Sequence, residues 1–72
     1  MPTISLNGEQ RTIPPSSTVE DLVRSLESEG LTADRRAIAV EVNRSIVPRS
    51  TYETHTLDDR DEIEIVTIVG GG

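Results

Sequence analysis

The chain has no cysteine, no lysine, no phenylalanine and no tryptophan, and it carries one histidine and one tyrosine. Without cysteine there is no disulfide, no thiolate nucleophile and no thiolate-ligated metal. Positive charge is scarce: seven arginines face thirteen Asp and Glu, for a net charge of −6. That balance argues against nucleic acid and anionic membrane surfaces, which both attract a positive face. No apolar run approaches the roughly 20 residues that a membrane span needs. Met1-Pro2-Thr3-Ile4 has neither the basic start nor the long apolar stretch of a secretory signal, so a soluble cytoplasmic protein is expected. Seventy-two residues suit one small domain. Ordering costs roughly 1.5 kcal/mol per residue, so such a chain folds on a thin margin. Its core must come from seven Ile, seven Val and five Leu.

Thr3 to Asn7 alternates polar with apolar and is followed by Gly8. Asn-Gly between two strands signals a hairpin, because both central residues of a type I′ turn need positive φ. The return strand is predicted over Glu9 to Ile13, closed by Pro14-Pro15. Val19, Leu22, Val23 and Leu26 then fall at helical spacing. Thr18 suits the N-cap, with Glu20 and Asp21 in a first turn that favours negative charge. Gly30 suits the left-handed end, with Leu31 expected to pack against the closing turn. This predicts a helix over Val19 to Glu29.

Further strands are predicted at Ala37 to Val42 and Ile46-Val47, with an irregular loop around Tyr52 from Arg49 to Thr56. Asp58-Asp59-Arg60-Asp61 reads as a turn, and Glu62 to Val69 as the longest strand. This order is best met by an α+β fold of the β-grasp, ubiquitin-like kind. It has a mixed sheet of four to five strands, one main helix on one face, and the last strand parallel to the first. The domain is expected over residues 1–69, with 70–72 a flexible tail. Ile4, Leu6, Ile13, Ile38, Val40, Val42, Ile63 and Ile65 are the predicted sheet contribution to the core.

Catalysis by the chain itself is not expected. His55 lies in a predicted loop with no partner for a triad or metal site. Ser16, Ser17 and Ser45 sit beside caps and turns, where serine ordinarily bonds to local backbone. The acidic stretch Asp58, Asp59, Asp61, Glu62 and Glu64 lacks the central Gly and spaced oxygens of a calcium loop. It reads as a solvated turn with outward strand charges that discourage edge pairing. Arg35-Arg36 reads as a surface pair, since no aromatic is nearby to stack a base.

The tail is the informative part. Ile63, Ile65 and Thr67 share one face of the last strand; Glu62, Glu64, Val66 and Ile68 share the other. The second row starts charged and finishes apolar beside Gly70-Gly71-Gly72. Val66, Ile68 and Val69 are therefore candidates for partner docking. Val69 to Gly72 spans about 14 Å at most when extended. Glycine alone lets a backbone enter a narrow passage without side-chain clash, so Gly70 and Gly71 suit insertion of the Gly72 carboxylate into another protein.

These residues resemble the ThiS family, the sulfur carriers of thiazole biosynthesis within the ubiquitin-like ThiS/MoaD superfamily. The likeness runs from Asn7-Gly8 and Thr18-Val19 through Ala39-Val40-Glu41-Val42-Asn43 and Ile46-Val47-Pro48-Arg49-Ser50. It continues through Asp61 to Val66 into Val69-Gly70-Gly71-Gly72. The chain departs at Arg44, where relatives often carry Gly. The resemblance implies a protein co-substrate rather than an enzyme, with no cofactor bound to the chain. An E1-like adenylyltransferase would use ATP to adenylate the Gly72 carboxylate. Sulfur relayed from a cysteine desulfurase would displace AMP to leave a thiocarboxylate. That group would donate its sulfur in thiazole synthase, for thiamine. The molybdopterin synthase sulfur carrier and a ubiquitin-like protein modifier share the fold and tail and are the alternatives. An interaction domain with idle glycines is a third.

Overall fold

The Asn7-Gly8 dipeptide turns the chain as its chemistry requires, with φ of 50° and 85° and. In the computed structural model, which describes residues 1–32 and 34–68, this turn joins β1 (Thr3–Leu6) to β2 (Glu9–Thr12). Helix α1 (Val19–Glu29) follows, then β3 (Ile38–Val42), the two-residue β4 (Ser45–Ile46) and β5 (Glu62–Thr67). Sheet order is β2-β1-β5-β3-β4. The β1–β5 pair is parallel and the other three are antiparallel. This is the β-grasp arrangement predicted above, with all five strands in one sheet.

Helix α1 ends where the sequence predicts. Thr18 and Asp21 form a reciprocal capping box, and Gly30 closes the helix at φ 72° and. Two further first-turn N–H groups are satisfied from a distance: Val19 donates to the His55 carbonyl at 2.9 Å and Glu20 to that of Tyr52 at 3.0 Å. The segment expected to be an irregular loop therefore seats the helix. It contains a short 3-10 turn, Arg49–Thr51. Tyr52, only 2% exposed, and Leu57 join the core from it.

The apolar stripe Val19, Leu22, Val23 and Leu26 packs on Ile4, Val40, Ile63 and their neighbours. Each such side chain contributes roughly 1.5–3 kcal/mol by leaving water. Two predicted core residues, Leu6 and Ile65, are only partly buried. Both line an open cleft together with Leu26 and Leu31. Leu31 itself donates its N–H to the Leu26 carbonyl at 2.9 Å, yet its side chain remains 64% exposed instead of packing on the cap.

Four strand limits differ from expectation, each for a visible reason. Ile13 leaves the β2 ladder but stays buried, its N–H bonded to the Pro2 carbonyl at 3.0 Å. Ala37 belongs to a 3-10 turn, Arg35–Ala37, that enters β3. Val47 turns inward after β4 and is 5% exposed. Strand β5 pairs through Thr67, and Ile68 adds one bond from its N–H to the Ala37 carbonyl at 2.7 Å.

Candidate functional site

Strand β5 is held in the middle of the sheet by two asparagine side chains. The Asn43 Oδ1 accepts from the Glu62 N–H at 2.9 Å, at the start of the strand. The Asn7 Oδ1 accepts from the Ile65 N–H at 2.8 Å, and its amide donates back to the Ile65 carbonyl at 3.4 Å. Asn7 thus mimics one more residue of β1 after that strand has turned away. The strand leading toward the tail is consequently fixed at its start and at its middle.

The acidic turn before β5 is a structural joint. The Thr3 N–H donates to the Asp59 carboxylate at 2.8 Å, and the Arg60 N–H to the Thr3 carbonyl at 2.7 Å. Asp61 accepts from the Asp58 N–H at 2.8 Å and from the Asn43 amide at 3.0 Å. Carboxylates that the sequence reads as solvated are in part spent on holding the turn against β1 and β3. Ser17, expected to bond locally, donates to the Pro14 carbonyl at 2.6 Å. Among the described residues, no three of His, Asp and Glu converge as metal ligands.

Arg35 is not the plain surface residue expected of an Arg-Arg pair. Its guanidinium bridges Glu20, at 2.8 and 3.0 Å, to Glu27, at 2.9 Å. The Arg35 hydrogen bonds hold both carboxyls below the usual glutamate range. Arg36 does remain solvated, beside Asp34.

The outer face of the sheet carries the docking candidates. Val66 is 42% and Ile68 52% exposed, on the side of β5 away from α1. Pairing sets Ala39 directly beside Val66, and Ile46, 69% exposed, beside Glu41. An apolar patch of Ala39, Ile46, Val66 and Ile68 therefore sits beside the acidic Glu41, Glu62 and Glu64. Sequence reasoning found Val66 and Ile68 but missed Ala39 and Ile46. The signal for Ile46 was its neighbour Val47, since one of two successive apolar residues in a strand must face out. Val69, Gly70, Gly71 and Gly72 lie outside the described residues.

A family model described as the ThiS family matches residues 4–72. A thiazole synthase of Paramagnetospirillum magneticum is 43% identical over 67 residues, covering 93% of this chain and 19% of its own length. The chain spans about a fifth of the length of the thiazole synthases it matches. The sulfur carrier protein ThiS of Bacillus subtilis is 36% identical over 70 residues, covering 96% of this chain and 98% of that protein. The crystal structure of a thiamine biosynthesis protein (ThiS) from Geobacter metallireducens superposes with a TM-score of 0.79 at 25% identity, over 97% of this chain and 99% of that one. With the family model matching residues 4–72 and the fold in agreement, the chain belongs to the ThiS family.

Proposed function

We propose that this chain is a sulfur carrier for thiazole formation in thiamine biosynthesis, acting as a co-substrate and not as a catalyst. The observation that carries the reading is the end of β5. A strand pinned in the sheet as far as Ile68 leads within a few residues into Gly70-Gly71-Gly72. A rigid body with a side-chain-free end can present a terminal carboxylate inside another protein's active site.

A carboxylate resists nucleophilic attack until one oxygen becomes part of a leaving group. An E1-like adenylyltransferase would join the Gly72 carboxylate to AMP from ATP, releasing pyrophosphate. A sulfur nucleophile relayed from a cysteine desulfurase would displace AMP and leave the thiocarboxylate. Gly70 and Gly71 serve reach, and Val66, Ile68 and Val69, with Ala39 and Ile46, dock the partner. The difficult chemistry belongs to the partners, as with other group carriers. Likeness to thiazole synthases and to ThiS supports the thiazole branch over the molybdopterin branch.

Intact-protein mass spectrometry tests this directly. Incubation with the activating enzyme, ATP and a sulfur source is expected to yield a species heavier by one oxygen-to-sulfur exchange, localised to Gly72. Removing Gly71 and Gly72 is expected to abolish that species and leave thermal unfolding unchanged. An ordinary carboxylate after complete incubation overturns the reading.

A further inference from the structure

The register of β5 leaves one rung open on the way to the tail. The Asn43 N–H donates to the Glu62 carbonyl and the Ile68 N–H to the Ala37 carbonyl, each at 2.7 Å. In this antiparallel pair, Glu62, Glu64, Val66 and Ile68 therefore direct their backbone groups toward β3. Ile63, Ile65 and Thr67 direct theirs the other way, toward β1. There the Ile63 carbonyl accepts from the Asn7 N–H at 2.9 Å, and Ile65 is paired by the Asn7 side chain. The chain then turns away at Gly8. Among the described residues, nothing pairs with the backbone N–H and C=O of Thr67.

This open rung stands over a cleft of about 510 Å³, lined by Leu6, Leu26, Leu31, Ile38 and Ile65 and also by the polar Glu9, Gln10 and Arg11. A free N–H and C=O in extended geometry beside walls that mix apolar and polar side chains suit one kind of occupant. An extended peptide adds a rung through its own backbone and sets an alternate side chain in the pocket. A helix has no free mid-chain backbone groups to offer, and an apolar small molecule leaves both Thr67 groups unpaired. Thr67 lies three residues before Gly70, so a strand bound there runs beside residues on their way into the tail's receiver.

We propose that an extended segment of the thiazole synthase pairs with β5 at Thr67 and seats an aliphatic side chain in this cleft. The inference rests on the carrier reading above and adds the surface by which the receiver grips the base of the tail. It is separate from the outer-face patch, since the cleft opens on the α1 side of the sheet.

Amide hydrogen exchange on the wild-type chain, alone and saturated with thiazole synthase, tests the pairing. The Thr67 amide is expected to exchange freely in the isolated chain and to become protected in the complex. Thr67→Pro deletes that N–H and spares every bond between β5 and β3; it is expected to unfold at the wild-type temperature and to bind the synthase about tenfold more weakly. A Thr67 amide that stays unprotected in the saturated complex overturns the proposal, as does wild-type affinity in Thr67→Pro. Protection that rises with concentration in the isolated chain assigns the cleft to a second copy and also overturns it. Should Thr67→Pro fail to fold, the exchange on wild type decides. A wild-type chain that does not bind the synthase at all removes the carrier reading itself, whereas binding without protection removes only the pairing.

Discussion

Asn7 and Asn43 both adopt positive φ in hairpin turns, and both spend their side chains on β5. Asparagine tolerates that backbone region, so one residue type serves turn and clamp together. Its neighbour Arg44 also sits at φ 71°, without such compensation. A residue bearing Cβ pays roughly 1–2 kcal/mol in that conformation. Arg44→Gly is therefore expected to stabilise the fold by about 0.5–1 kcal/mol after the extra unfolded-state entropy of glycine, seen as a higher Tm. The turn at Asn7-Gly8 was legible because its chemistry is carried by two adjacent residues. The bond from Asn7 to Ile65 was not, since it joins positions 58 apart that only the sheet brings together.

At the scale of the element, α1 could be read almost to the residue, because Thr18, the apolar stripe and Gly30 are local signals. The sequence placed Glu20 in the first turn for its charge alone; in the structure it is also 8% exposed and shared by Arg24 and Arg35. Arg35 follows α1 through a connecting loop, so no helical spacing could have announced the contact. Glu20→Gln is expected to cost about 1–2 kcal/mol by weakening charge-assisted hydrogen bonds, measurable by chemical unfolding. Folding also lowers the Glu27 carboxyl through Arg35, the Glu29 carboxyl through Arg11, and the Asp21 carboxyl through the Thr18 N–H. Groups whose folded pKa is depressed stabilise the fold above their unfolded value and lose that contribution as pH falls through the folded one. Tm is thus expected to hold above the usual glutamate value of 4.5 and to fall progressively below it. The fall should be shallower in Glu20→Gln.

Across the described residues, helix α1 covers one face of the sheet and leaves Ala39, Ile46, Val66 and Ile68 on the other. Val66→Glu together with Ile68→Glu is expected to leave Tm unchanged, because both side chains are already substantially exposed. The pair should weaken partner binding at least tenfold, read by titration calorimetry. Half of this patch was visible in the sequence, where Val66 and Ile68 alternate along one strand. The other half was not, because Ala39 and Ile46 reach it only through cross-strand pairing. Tyr52 and Leu57 escaped for a related reason, since an irregular segment carries no periodicity to mark its inward side chains.

Strand β5 is the last of the five to be synthesised and lies third in a sheet of five. Two hairpins made earlier have no contact ladder with each other until it arrives between them. A nascent chain still lodged in the ribosomal exit tunnel at Glu62 therefore holds two unjoined halves. The sheet closes only as β5 emerges through Ile68, so the joining of the two halves and the assembly of the outer apolar patch become a single event in time and.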